Sequence, residues 1–204
     1  KYTVGDFINV KIKSKEFGRI ATQNAKNVIL QKIREEERKV LYNQYYEKEH
    51  NVVTGIVQRY LGRNISINLG KVEPLLTENE MVKGETFKSS ERIKLYVLEV
   101  KDTPKGPKIV GSRTHPELVK RLFESEVAEV RKGILEIKSI AREAGSRTKI
   151  AVYSNDPDVD AVGACVGMNG IRVNAIVEEL RGEKIDIINW DENPALMIEN
   201  ALSP

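Results

Sequence analysis

Cysteine and histidine are nearly missing from this chain. Cys165 stands alone, and His50 and His115 are the only imidazoles. One cysteine rules out an internal disulfide, and such usage fits a reducing cytoplasm. One thiol and two distant imidazoles offer no ligand spacing for zinc. No apolar run approaches the ~18 residues of a membrane span, and no signal peptide opens the sequence. An excess of one charge is also lacking: 33 basic residues meet 30 acidic ones, for a net charge of +3. That balance permits a nucleic-acid partner without demanding one. Paired catalytic carboxylates, a nucleophile triad and the Gly-Lys-Ser/Thr of a P-loop are all absent, so nothing asks for an enzyme, a metal or a cofactor. Asp156, Asp158 and Asp160 imitate a calcium loop, but Ala161 stands where its sharp-turn glycine belongs and no Glu falls at position twelve. They read as a solvated turn, with Asp160 capping a short helix.

What is present is ordinary globular material, 31% charged and 40% hydrophobic over 204 residues, enough for one to three small domains. Residues 1–48 read as a strand followed by a long helix. Ile8, Val10 and Ile12 alternate with Asn9, Lys11 and Lys13 over Phe7 to Lys13, and no proline or glycine interrupts Arg19 to Glu49. The helix is charged nearly all round in its middle, which suits a connector. A lone strand and helix cannot close a core, and the chain opens at Lys1 inside the strand-like run, so a stretch of a longer protein is expected. Residues 49–114 hold four to five short strands with glycine turns, the pattern of a small antiparallel barrel. Residues 115–204 mix helix and strand. "PELVKRLFESEV" is helical, "GILEIKSIA" and "TKIAVYS" are strands, and "EKIDII" is a last strand before the short helix "NPALMIENAL".

The most informative run is "GACVGMNGIRVNAIVEELRGEKIDII", in which Gly163, Gly167 and Gly170 crowd ahead of an amphipathic helix. Glycines there let a backbone approach a phosphate. A dinucleotide loop needs its second glycine where Cys165 stands, and needs a strand directly before it. Here the acidic turn "NDPDVD" and a short helix intervene. Helix, G-x-x-G, helix and strand, preceded by two strands, is the order of a type II KH domain, which clamps a single-stranded backbone. Cys165 itself reads as a small buried apolar residue.

This run, extended to "DAVGACVGMNGIRVNAIVEELRGEKIDIINW", resembles the first KH domain of the NusA family of bacterial transcription elongation, termination and antitermination factors. "GILEIKSIAREAGSRTKIAV" resembles that family's preceding hairpin, and "IATQNAKNVILQKIREEER" the end of its polymerase-binding N-terminal domain. The barrel falls where the family has an S-one-type OB fold. The resemblance implies an α+β multidomain chain: strand plus connector helix, OB barrel, and type II KH domain. It implies single-stranded nascent RNA, RNA polymerase and other antitermination factors as partners, and no membrane.

Candidate RNA-binding residues follow. In the loop they are Gly167, Met168, Asn169 and Gly170. The family offers a basic residue between the glycines, whereas this chain has Met168-Asn169, so Arg172 is expected to carry the attraction to phosphate. Proline, common in the family at two other places, is replaced by Ala128 and Ala161. Arg142, Arg147 and Lys149 cluster on one hairpin beside the loop. In the barrel, Tyr60, Arg63, Arg92 and Lys94 suit stacking and backbone tracking, with core packing the alternative for Tyr60. The function expected is a non-catalytic RNA-binding transcription factor that modulates pausing, termination and antitermination. An accessory region of a ribonuclease and a ribosome-associated protein are the alternatives.

Overall fold

The computed structural model describes residues 3–5, 7, 9–10 and 18–202. The strand expected over Phe7 to Lys13 lies largely outside these. The first element is helix α1 (Arg19–Tyr46), 28 residues long and roughly 42 Å at 1.5 Å per residue. Its exposed surface is laced by short-range ion pairs, Lys32–Glu35 and Lys39–Glu36. The chain divides into two compact units, Lys1–Val40 and Leu41–Pro204.

The second unit begins with the last turn of α1, where Tyr45 is buried and its hydroxyl donates to the Leu69 carbonyl at 2.9 Å. Five strands follow: β1 (Val52–Leu61), β2 (Asn64–Asn68), β3 (Leu75–Leu76), β4 (Arg92–Lys101) and β5 (Lys108–Ser112). They form one antiparallel sheet in the order β3-β2-β1-β4-β5. The edge strands β3 and β5 come together, so the sheet curls into a nearly closed barrel. Register shifts between Val57 and Arg59 and between Val97 and Glu99 supply the bends that curling needs. Period-two alternation explains the core: Val57, Ile65, Ile67, Ile93 and Leu95 point inward with Leu76 and Phe87.

The third part comprises α2 (Pro116–Glu126), α3 (Ala128–Arg131), β6 (Leu135–Glu143), β7 (Arg147–Ser154), α4 (Ala161–Val166), α5 (Ile171–Glu179), β8 (Lys184–Asn189) and α6 (Pro194–Leu202). Pro116 opens α2, and the His115 ring nitrogen Nδ1 accepts from the Glu117 N–H at 3.2 Å as its cap. The sheet order is β6-β7-β8, with β6 antiparallel and β8 parallel to β7. A parallel neighbour requires a crossover, and α4 and α5 supply it. Leu118, Leu122 and Phe123 of α2 pack with Ile150, Val152, Cys165, Ile176 and Leu180 into one core, which Tyr96 of the barrel joins. Among the described residues no helix is long and apolar enough to cross a membrane.

Candidate nucleic-acid interface

The three glycines turn out to serve three different needs. Gly163 lies in the first turn of α4, where a Cβ would fall 2.4 Å from the Asp160 carboxylate. That carboxylate accepts from the Val162 N–H at 3.2 Å and caps the helix, as the aspartate turn led us to expect. Gly167 ends α4 at φ 75°, ψ 172°, a region essentially reserved for glycine. Met168–Gly170 then form a single tight turn in which Asn169 is left-handed, at φ 53° and ψ 26°. Asparagine tolerates that conformation better than most side chains. Gly170, at φ 76°, stands at the N-cap of α5, and no side chain caps that helix. The result is a Gly-Met-Asn-Gly turn leading into a helix start that no side chain caps, at the positive end of the helix dipole; the Gly170 and Ile171 N–H groups donate to the Gly167 and Met168 carbonyls. Met168 is 84% exposed at the tip of this turn.

A cleft of about 540 Å³ opens at the start of α4, the end away from Gly167, lined by Asp160 and Val162, by Asp186 to Asn189 of β8, and by Asn200 of α6. β8 is an edge strand, so one row of its backbone groups faces away from the sheet. Sequence reasoning did not find this cleft. "EKIDII" reads only as an apolar strand, and its place at the sheet edge follows from the crossover.

The cations are disposed differently from the expectation. Arg172 lays its stem against Gly167, and its guanidinium donates to the Ala164 carbonyl at 2.7 Å and to Glu129 at 3.0 Å. Glu129 is held below the usual carboxylate range by its own backbone N–H and by Arg172. The arginine therefore braces the loop from behind. Arg142 is a correction: its side chain is 1% exposed and forms a fork to Glu183 at 2.9 Å, with a further bond to the His115 carbonyl at 2.8 Å. Burial pushes Glu183 up, but Arg142, the Gly145 N–H and the Thr148 hydroxyl outweigh it and hold the carboxyl low. Arg142 is an internal ion pair and not a surface cation.

Arg147 and Lys149 alternate with Thr148, Ile150 and Val152, which are buried under the helices. They therefore occupy the opposite face of the sheet from the G-x-x-G helices. Arg147 pairs with Asp186, and Lys149 lies 3.8 Å from the same carboxylate and donates to the Ala201 carbonyl. The Arg147 partner holds Asp186 low. Cys165 is fully buried, and burial pushes its thiol up to about 11, so it remains protonated and unreactive.

On the barrel, Tyr60 is anchored through its hydroxyl while part of its surface stays open. The residue is 47% exposed, yet its hydroxyl accepts from the Phe87 N–H at 2.9 Å and faces the Phe87 carbonyl at 3.3 Å. The ring is thus held in one pose with part of its surface open. Arg63 is exposed and lies 3.3 Å from Glu78. Lys94 is half-buried, 3.9 Å from Glu126. Arg92 is exposed, with no ion pair to any described residue, at the mouth of a second cleft of about 310 Å³ between barrel and α5.

A helix–G-x-x-G–helix unit on a mixed three-stranded sheet, joined to a nearly closed five-stranded antiparallel barrel, defines a type II KH domain beside an OB-like domain. Comparison with known proteins makes this particular. Residues 113–190 match the family model of the NusA-like first KH domain, and residues 1–39 that of the NusA N-terminal domain. The transcription termination/antitermination protein NusA of Bacillus subtilis is 53% identical over 204 residues, covering all of this chain and 55% of the relative. The protein of the same name from Thermus thermophilus is 43% identical over 98% of this chain and 52% of its own length. That from Rickettsia conorii is 40% identical over 98% of this chain and 40% of its own length. The chain belongs to the NusA family and spans about half the length of the first of these relatives.

Proposed function

We propose that this chain is the RNA-holding region of a cytoplasmic transcription factor that associates with RNA polymerase and nascent RNA to modulate pausing, termination and antitermination. It breaks no bonds; it works by stabilising one path of the RNA strand over another. Residues 1–48 belong to the polymerase-docking domain, 49–114 to the barrel and 115–204 to the KH domain. The observation that carries the reading is the loop Gly167–Gly170. The Gly-Met-Asn-Gly turn leads into the start of α5, which no side chain caps, and a cleft of about 540 Å³ lies between the start of α4 and β8. Exposed Arg92 and the open face of Tyr60 extend the binding surface onto the barrel.

Backbone donors dominate this surface, and Arg172, Arg147 and Lys149 are engaged with carboxylates. Affinity for short single-stranded RNA is therefore modest and its salt dependence shallow, about 0.7 in log–log slope for each phosphate neutralised. The test is a fluorescence titration of a labelled single strand and its duplex, with the parent and with Met168→Asp/Asn169→Asp. The double variant keeps its circular dichroism, because the loop tip is exposed, and loses RNA affinity by roughly tenfold or more. A folded double variant that binds like the parent, or a preference for duplex, overturns the reading. Removing residues 1–40, the first compact unit, abolishes polymerase capture and leaves RNA affinity unchanged.

A further inference from the structure

Arg113, between β5 and α2, is 1% exposed and spends every donor it has. Nε and one Nη2 hydrogen go to the two oxygens of Glu85, at 2.8 and 2.6 Å. Nη1 donates to the Lys94 carbonyl at 2.8 Å and to the Glu179 carboxylate at 3.2 Å, and Nη2 also donates to the Glu179 carbonyl at 2.9 Å. A guanidinium has five N–H bonds, and all five are matched. Burial works against its charge, but Glu85 and Glu179 outweigh that and keep it ionised.

The partners lie on two domains. Glu85 and Lys94 are barrel residues, whereas Glu179 is the last residue of α5, the helix that the G-x-x-G loop leads into. The guanidinium sits at the negative end of that helix dipole, where a cation is favoured. It also lies over the Phe87 ring at 5.3 Å, with Arg181 at 5.3 Å from the same ring and paired to Glu91. Phe87 is the residue whose backbone holds the Tyr60 hydroxyl. The β6–β7 turn docks on the barrel too: a Cβ on Gly145 would fall 2.4 Å from a Val82 methyl carbon.

We infer that Arg113 is a positioning residue for RNA, fixing the barrel surface around Tyr60 relative to the KH loop so that one strand engages both. The connection runs from loop through α5 to Glu179, across Arg113 to Phe87, and on to Tyr60. It rests on the RNA-binding reading above and adds the coupling between its two halves. Two surfaces held at a fixed separation bind a spanning strand at a high effective concentration, and two loosely joined surfaces do not.

The experiment compares a strand of about 4 nucleotides, the length a KH loop clamps, with one of about 15, enough to reach an OB surface as well. Both are titrated against the parent, Arg113→Lys, and Glu85→Gln/Glu179→Gln. In parallel, spin labels on Lys71→Cys and Lys132→Cys report the barrel-to-KH distance distribution; buried Cys165 stays unlabelled. In folded variants, the long strand binds tenfold or more weakly, the short strand binds within twofold of the parent, and the distance distribution broadens. Arg113→Lys, which keeps the charge and fewer donors, falls between the parent and the double variant. A distribution that keeps its width overturns the positioning role, and so does unchanged long-strand affinity when the distribution broadens. A parent that binds neither strand defeats the RNA reading and the coupling together, while the distances still report whether Arg113 sets the orientation.

Discussion

Replacing Gly167 with alanine tests the backbone of the candidate loop directly. At φ 75° and ψ 172° an L residue costs about 1–3 kcal/mol. A second cost is steric. The new Cβ would lie 2.8 Å from Cγ and 3.0 Å from Cδ of Arg172. That stem cannot swing aside freely, because its guanidinium is held by Ala164 and Glu129. Losing the bond to the Ala164 carbonyl adds about 1 kcal/mol, and the half-exposed ion pair adds at most about as much. The expected destabilisation is about 2–5 kcal/mol. Gly170→Ala is the internal control. Its φ of 76° and ψ of 12° lie in the ordinary left-handed region, and its nearest neighbour is the Asn174 amide at 3.2 Å, a group free to rotate. It costs about 1–2 kcal/mol. Urea titrations followed by far-ultraviolet circular dichroism give both values on one scale. Equal stabilities, or a larger loss at Gly170, refute the claim that Gly167 is the strained position and that Arg172 braces it.

Acid sensitivity follows from Glu183. Its folded carboxyl lies below the ordinary value of 4.5, so the stabilisation is complete above that pH and is lost as pH falls through the folded value. Thermal melts are flat from pH 7 to 5 in this respect and decline below about 4.5, while Glu183→Gln, which leaves Arg142 buried without its partner, costs about 3–5 kcal/mol at neutral pH. Tyr60→Phe loses the hydroxyl bonds to Phe87 that hold the ring, about 0.5–1.5 kcal/mol, and weakens RNA binding by less than tenfold, whereas Tyr60→Ala, which removes the ring, weakens it by tenfold or more; filter binding on both separates stacking from anchoring. Iodoacetamide leaves Cys165 unmodified in the folded protein at pH 8 and alkylates it in urea, as mass spectrometry would register; rapid native labelling would contradict the buried, protonated thiol.

Local features of the sequence determined a good deal. The alternation Ile93, Leu95, Val97 named β4 as a barrel strand, and the structure buries all three. Pro116 marked the start of α2, and Gly167 and Gly170 marked the loop, because proline and glycine report backbone angles at their own positions. The fate of the charges was not legible in this way. Arg142, Arg147 and Arg172 look alike from their neighbours, all basic and all near the loop in sequence. Their partners Glu183, Asp186 and Glu129 lie roughly forty residues away and meet them only after the β7–β8 crossover and the packing of α3 beside α4 and α5. Arg113 drew no notice at all, since neither Glu85 nor Glu179 is near it in the chain. Periodicity and backbone angle are properties of a few consecutive residues, so the sequence alone determines them. Whether a cation is free to meet RNA depends on which carboxylates and how little water surround it, and that is decided only when distant segments come together.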